Sequence, residues 1–288
     1  MHWLFHFLNK PDREKAVVVV IWGVHTPDWM AALNASAPVW EDVPRLHVVL
    51  NLSSRGQVVP LKIGWGRRIV VIPLMERHIA RHPRRYETLV PTMSAMRVLG
   101  DKGRFADYIE KQGLGHLCPV TYKSIESASF PCVIKRTNLN GGKGVAMAVS
   151  LQQARQLMQQ EPFAGRHCIV QAAIPFTVEY VVHCVCLRGS VLWHAIYAYE
   201  FEKQHIRTAG SPGCTVRRST IPGRVIKDLE AMLLPLEYSG PCNVDCTWDD
   251  DGRLVVFEIN PRLGGSLMCP ENTVDLAACL SVIIDRAS

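Results

Sequence analysis

Residues 16–22 read Ala-Val-Val-Val-Val-Ile-Trp and end at Gly23. A β-branched run with no polar position in it has no face to offer water, so it must be covered on both sides, as a strand inside a parallel sheet is. That commits the beginning of the chain to an α/β unit. Apolar runs at Leu46–Leu50, Val58–Ile63 and Ile69–Leu74 supply partner strands, a helical pattern covers Met75–Leu89, and Pro91 closes the unit. At 288 residues the chain has room for about two domains.

Beyond this unit, Thr92–Gly113 carries apolar residues at helical spacing, broken at Gly100, which predicts two short helices. From Pro131 the texture changes to strands separated by glycine turns: PCVIKRT, GVAMAVS, HCIVQAAI, VEYVVHCVCL and SVLWHAIYAY. Helical patterns run over Leu151–Gln160 and Arg224–Leu234. The segments Val244–Trp248 and Leu254–Ile259, joined by Asp249-Asp250-Asp251-Gly252, predict a hairpin. The fold class expected is α/β followed by α+β. The polar stretch Glu200–Pro222, with Gly210, Pro212 and Gly213, reads as a long loop and a candidate mobile lid.

The chain is 48% hydrophobic and 20% charged, which excludes disordered and low-complexity classes. Ten cysteines are spread over 288 residues, with no CxxC pair, and Cys132, Cys168, Cys184 and Cys186 sit in apolar runs, so they read as reduced core thiols rather than a zinc site or a disulfide framework. No apolar stretch approaches the length of a membrane span, and the opening MHWLFHFLNK lacks the features of an export signal, so a cytoplasmic location is expected. The net charge of +6 is concentrated: between Arg67 and Arg97 seven arginines face only Glu76 and Glu87. With Tyr86 as its one aromatic residue this run reads first as a solvated helix face, and only second as a nucleic-acid or anionic-substrate footprint.

Two constellations carry chemistry. Lys135, on the strand PCVIKRT, is followed by Asn140-Gly141-Gly142-Lys143-Gly144. Glycines let backbone N–H groups approach phosphate oxygens, and a strand lysine adds a point charge for the same anion. The loop is not GxxxxGK[ST]. In the second, Glu258 and Asn260 lie two apart on one strand and so share a face, with Asp245 across the hairpin. Hard oxygen ligands of this kind suit Mg²⁺. Arg262 and the turn Gly264-Gly265-Ser266 follow at once.

Taken in order, GDKGRFADYIEKQGLGHLCP, CVIKRTNLNGGKGV, CIVQAAIPFTVEYVVHCV and GPCNVDCTWDDDGRLVVFEINPRLGGS resemble the ATP-grasp ligases, over about Leu99–Ser266. The resemblance implies an ATP-grasp fold with a short N-terminal α/β domain over 1–90 and an ATP-grasp domain over 91–288, itself split into about 118–175 and about 176–288. It assigns Lys102 and Lys135 to the nucleotide phosphates, Gly141, Gly142, Lys143 and Gly144 to the loop that covers them, and Glu179 to the ribose. Asp245, Glu258 and Asn260 would bind magnesium as two ions, and Arg262, with Lys135, would act on the transferred phosphoryl group. Where many relatives carry a hinge glutamate this chain has Ala172, so adenine would rest on the backbone of Gln171, Ala172, Ala173 and Ile174.

The activity implied is ATP-dependent joining of a small-molecule carboxylate to an amine through an acyl phosphate, releasing ADP and phosphate. Substrate contacts are expected from Glu76, His205, Arg207, Arg217, Gly264, Gly265 and Ser266. The alternatives are a nucleotide-binding regulatory module without turnover, or a ligase that modifies an acidic protein or a nucleic-acid-associated partner. A membrane role is not expected, and a homodimer stays open.

Overall fold

The computed structural model describes residues 17–55, 57–59, 67–139, 142–205, 215–220, 222–249 and 251–288, the side chains of 203–205 excepted. Strand β1 (Val17–Trp22) runs parallel to β2 (Leu46–Leu52) on one side and β3 (Arg68–Pro73) on the other, in the order β2-β1-β3. Val18, Val19, Val20 and Ile21 are wholly buried. Alternation divides them between two cores. Val17, Val19 and Ile21 pack with Leu276, Leu280 and Ile283 of the final helix Thr273–Arg286, and with Tyr197. Val18, Val20 and Trp22 pack with Val59 and Tyr86. Both faces are covered, as the run demands, the second with help from residues that belong to no helix.

Two departures from expectation lie here. The helical pattern over Met75–Leu89 yields only Glu76–Ile79 as helix, after which His82-Pro83 turns the chain and Thr88 closes onto Val71. Of Val58–Ile63, Val58 and Val59 have no regular structure and residues 60–63 lie outside the described residues.

The two short helices are Met93–Leu99 and Lys102–Lys111. Asp101 caps the second, its side chain accepting from the Gly103 and Arg104 amides at 3.0 Å. Strands β4 (Thr121–Tyr122), β5 (Cys132–Arg136), β6 (Val145–Ala148) and β7 (Cys168–Ala172) form an antiparallel sheet in the order β4-β7-β5-β6, with the helix Leu151–Met158 against it.

Strands β8 (Phe176–Leu187), β9 (Ser190–His205), β10 (Thr215–Ser219), β11 (Gly240–Trp248) and β12 (Leu254–Asn260) form a second antiparallel sheet, in the order β10-β9-β8-β11-β12. Its β8–β9 hairpin turns on two residues, Arg188 at φ 50° and Gly189 at φ 88°, the positive-φ pair that matches strand twist. A Cβ on Gly189 would lie 2.4 Å from the Leu234 Cα, so the turn also needs glycine for space.

The expected loop over Glu200–Pro222 is corrected. β9 continues to His205, and β10 returns along it from Thr215 opposite Glu200 to Ser219 opposite Ile196. Ladder hydrogen bonds and a place at the sheet edge override the polar composition that suggested a loop. Residues 206–214, including Arg207, lie outside the described residues.

Candidate functional site

The two antiparallel sheets and the start of the helix Lys102–Lys111 enclose a cleft of about 690 Å³. Part of its lining is apolar, from Val133, Val145, Ala172, Ile174, Phe176 and Phe257, with the two phenylalanine rings 5.5 Å apart. The charged part of the lining comes from Lys102, Lys135, Glu179, Asp245 and Glu258. A lining of both kinds suits a ligand that carries a flat apolar ring and anionic groups.

The charged lining follows from strand geometry. β11 and β12 pair with Asp245 opposite Glu258 and Asn243 opposite Asn260. The period of two then sends Asn243, Asp245, Glu258 and Asn260 to one face. The Lys102 ammonium lies 2.8 Å from Glu258 Oε2 and donates to the Leu139 carbonyl at 2.7 Å. Asn260 donates to Glu258 Oε1 at 3.0 Å. Burial opposes ionisation of Glu258, yet the Lys102 ammonium and the Asn260 amide together hold its carboxyl below the usual carboxylate range. Lys135 stands 5.5 Å from the centre of the Phe257 ring. Burial, against the pull of Glu258 and with the help of Lys102, pushes its ammonium down to about 8.

Asp245, Glu258 and Asn260 offer two carboxylates and an amide oxygen, a donor set that fits magnesium. A cation already sits against Glu258 in the form of Lys102, so the residues present tolerate positive charge at that point. Asn243 was missed in the sequence, although its place two residues before Asp245 on the same strand is the signal that would have found it. Its buried Oδ1 has no hydrogen-bond partner among the described residues. Phe176 and Phe257 were missed too, since an aromatic residue on a strand reads as core.

The remaining expected residues fall in different places. Gly142 lines the cleft at φ 71°. Gly144 is buried where a Cβ would meet Leu139 at 2.9 Å, Lys143 is exposed, and Gly141 lies outside the described residues. At the hinge, Ala172 and Ile174 line the cleft. The Ala172 and Ala173 amides already donate to the Val120 and Pro131 carbonyls at 2.8 and 3.4 Å, so those two N–H groups are not available to a base. Gln171 is buried, its amide nitrogen donating to Thr121.

Arg262 points to the N-terminal unit, its Nε donating to Glu76 Oε1 at 3.1 Å and one terminal nitrogen to Asn260 Oδ1 at 3.4 Å. Glu76, 186 residues away in sequence, is thereby brought through Arg262 to the neighbourhood of Asn260. A second cavity of about 1160 Å³, lined by Glu76, Arg77, Arg97 and Arg104, shares Lys102, Glu258 and Asn260 with the site just described.

Ser266 is buried, with Oγ 2.7 Å from His183 Nε2. Burial pushes that imidazole down to about 3, so it is neutral. Gly264 packs on the same ring, where a Cβ would lie 2.3 Å from His183 Cε1, and Gly265 faces the Trp29 indole. Arg217 is placed away from the cleft, on the edge strand, bonded to the exposed Glu200. The His205 side chain is among those not described. Among the described residues no helix is long and apolar enough to cross a membrane.

A family model described as "ATP-grasp domain" matches residues 119–273, more than half the chain. No curated protein matches the sequence. Among solved structures, D-alanine–D-alanine ligase from Bacillus anthracis complexed with ATP is similar at a TM-score of 0.61 and 15% identity, covering 94% of this chain and 96% of that one. L-amino acid ligase from Bacillus licheniformis is similar at 0.58 and 16%, covering 96% and 76%. Carboxyaminoimidazole ribonucleotide synthase from Aspergillus clavatus complexed with ATP is similar at 0.57 and 16%, covering 94% and 77%.

Proposed function

The chain belongs to the ATP-grasp family, and from that premise we propose that it is an ATP-dependent ligase that joins a substrate carboxylate to an amine. The observation that carries this reading is the mixed lining of one cleft: apolar side chains for a base, and two lysines beside Asp245 and Glu258 of the β11–β12 hairpin. A pure binder has no need of Glu258, Asn260 and Arg262 gathered there. Similarity to the D-alanine, L-amino acid and carboxyaminoimidazole ribonucleotide enzymes adds support for amide-type chemistry.

In this reading the substrate carboxylate oxygen attacks the γ-phosphorus, the bond from the γ-phosphorus to the bridging oxygen breaks, and ADP departs with that electron pair. The amine then attacks the acyl carbon, inorganic phosphate leaves, and the nitrogen gives up a proton. Magnesium, when bound by Asp245, Glu258 and Asn260, supplies charge neutralisation for the phosphates. Lys135 and Lys102 add positive charge from the cleft wall, Lys102 exchanging Glu258 for phosphate oxygens. Phe176 and Phe257 exclude water from the base, and Gly142 lets the loop backbone come close to phosphate oxygens. Arg262, bonded to Glu76 and Asn260, would add positive charge beside the transferred phosphoryl group.

A screen of paired carboxylic and amino acids with MgATP tests the reading, with phosphate release and the spent nucleotide as the two measurements. ADP with stoichiometric phosphate is expected. AMP with pyrophosphate would overturn the acyl-phosphate route, and tight nucleotide binding without turnover on any pair would favour a regulatory module.

A further inference from the structure

Most of the arginines between Arg67 and Arg97 have no task in the nucleotide cleft, and two of them meet a third elsewhere. At the carboxyl ends of β1, β2 and β3, where open parallel sheets gather their ligand-binding loops, lies a cavity of about 1250 Å³. Arg55, Arg77 and Arg81 line it together with His25 and the hydroxyls of Thr26 and Ser54, and no carboxylate is among its lining residues. Asp28, close in sequence, bonds Thr26 and lies outside the lining. Among the described residues none of the three guanidinium groups pairs with an acid.

Arg77 is held in a built position. Its Nε donates to His78 Nε2 at 3.1 Å and a terminal nitrogen to the Val24 carbonyl at 3.3 Å. His78 is 3% exposed, and burial with the neighbouring Arg77 pushes its imidazole down to about 4, which keeps it a neutral acceptor. The ring in turn needs Gly23, at φ +114°, because a Cβ there would lie 2.1 Å from His78 Nδ1. The residual N–H groups of Arg77 are thus fixed at the cavity wall, and Arg77 also lines the cavity that reaches Glu258 and Asn260. The basic pocket and the reacting end therefore share a wall.

Three unpaired guanidinium groups repel one another until an anion enters. A single carboxylate offsets one of those charges. A phosphate monoester brings about −1.5 to −2 and three strong acceptor oxygens, which match guanidinium forks and hydroxyl donors. We propose that this pocket binds a phosphate monoester carried by the substrate, at a distance from its reacting carboxylate or amine. This rests on the ligase reading and names the substrate class for it.

The test is a calorimetric titration of the full chain, loaded with magnesium and a non-hydrolysable ATP analogue so that the γ-phosphate position is filled, with glycerol 3-phosphate as the probe and succinate as the carboxylate control. The phosphate ester is expected to bind at least tenfold more tightly than succinate. Arg55→Ala and Arg81→Ala, at exposed positions whose loss does not disturb the core, should each weaken it about tenfold, and Arg81→Lys should recover part of the loss. Equal binding of succinate, no binding by the parent chain, or unchanged binding in both alanine variants would overturn the proposal. Because no turnover is read, failure here is distinct from failure of the ligase reading, which shows instead as absent ADP formation.

Discussion

The nucleotide cleft and the arginine pocket are both charged, and they handle charge in opposite ways. In the cleft both lysines have a counter-charge at hand: Lys102 lies 2.8 Å from Glu258, and Lys135 feels the same carboxylate. The site is close to neutral before any ligand arrives, so its groups shift in pKa and exchange partners when phosphate enters. In the pocket Arg55, Arg77 and Arg81 stand without an acid among the described residues, so charge is held back for a ligand to neutralise. A site that balances itself is built for reaction, since its charges move little when the substrate's charge moves. An unbalanced site is built for capture.

The largest effect that separates the two is Glu258→Gln. In the cleft this removes the partner of Lys102 and a proposed magnesium ligand together, and kcat for phosphate release should fall by about 100- to 1000-fold. Stability should drop by about 2 kcal/mol, because both side chains are mostly buried and the lysine loses a charged partner. Steady-state kinetics at saturating magnesium, with a denaturant titration, measures both. Near-parental turnover would show that the balance at this end has no catalytic purpose.

Much of this architecture was legible in the sequence, and the parts that were not share a physical cause. The run Val17–Trp22 had to be a doubly covered strand, and it is. The hairpin that carries Asp245, Glu258 and Asn260 followed from alternation and a glycine turn, and the structure pairs Asp245 with Glu258. What failed was whatever depends on contacts distant in sequence. The stretch 200–205 and 215–219 looked like loop because its residues are polar, yet it forms a ladder on an edge where polar side chains meet water. Arg217, expected at the substrate, answers to Glu200 on the neighbouring strand. The helical period over Met75–Leu89 was followed past Pro83, a local helix breaker, and the helix ends at Ile79. Glu76 was expected at the substrate, and the structure pairs it with Arg262, 186 residues away, which no local pattern could show. Arg77, in the basic run, read first as solvated helix face and only second as an anionic footprint, because the cavity it lines exists only once three strands are parallel.

The second effect is one of pH. Phosphate binding favours the charged form of Lys135, whose ammonium in the free protein loses its proton near 8 rather than in the usual lysine range. ATP affinity should therefore be flat below about pH 8 and fall above it, by at most tenfold per pH unit. Lys135→Met should bind ATP more weakly and lose this pH dependence. The arginines of the pocket keep their charge across the same interval, so binding of a phosphate ester there should not follow that profile. Fluorescence titrations with an ATP analogue between pH 7 and 9.5 decide it, and a parent chain with no fall above pH 8 would mean that Lys135 does not face the phosphates.

A smaller effect lies outside both sites, at the Gly264 turn. Gly264→Ala would put a methyl 2.3 Å from His183 Cε1, and His183 is buried against Ser266. The ring has no space to retreat into, so the variant should lose about 1–3 kcal/mol as an overpacked core does. Ser266→Ala, which leaves the ring in place but removes its hydroxyl partner, should cost about 1–2 kcal/mol. Denaturant midpoints rank them, and a Gly264→Ala protein as stable as the parent would show that the turn adapts.

The smallest expected effect is the sharpest test of the contrast. Arg81 is exposed at the rim of the basic pocket and no acid pairs with it among the described residues. If charge there is held in surplus, Arg81→Ala relieves repulsion with Arg55 and Arg77 while breaking no ion pair, so the melting temperature at low salt should stay level or rise by about a degree, and the difference should vanish as salt screens the cluster. Glycerol 3-phosphate should reverse the order: it stabilises the parent by mass action and the variant less. Both curves come from one thermal-shift series at two salt concentrations, with and without the ester. A clear loss of stability in Arg81→Ala at low salt would mean that the arginine is engaged within the fold, and the pocket would then be a second balanced site rather than a surplus one.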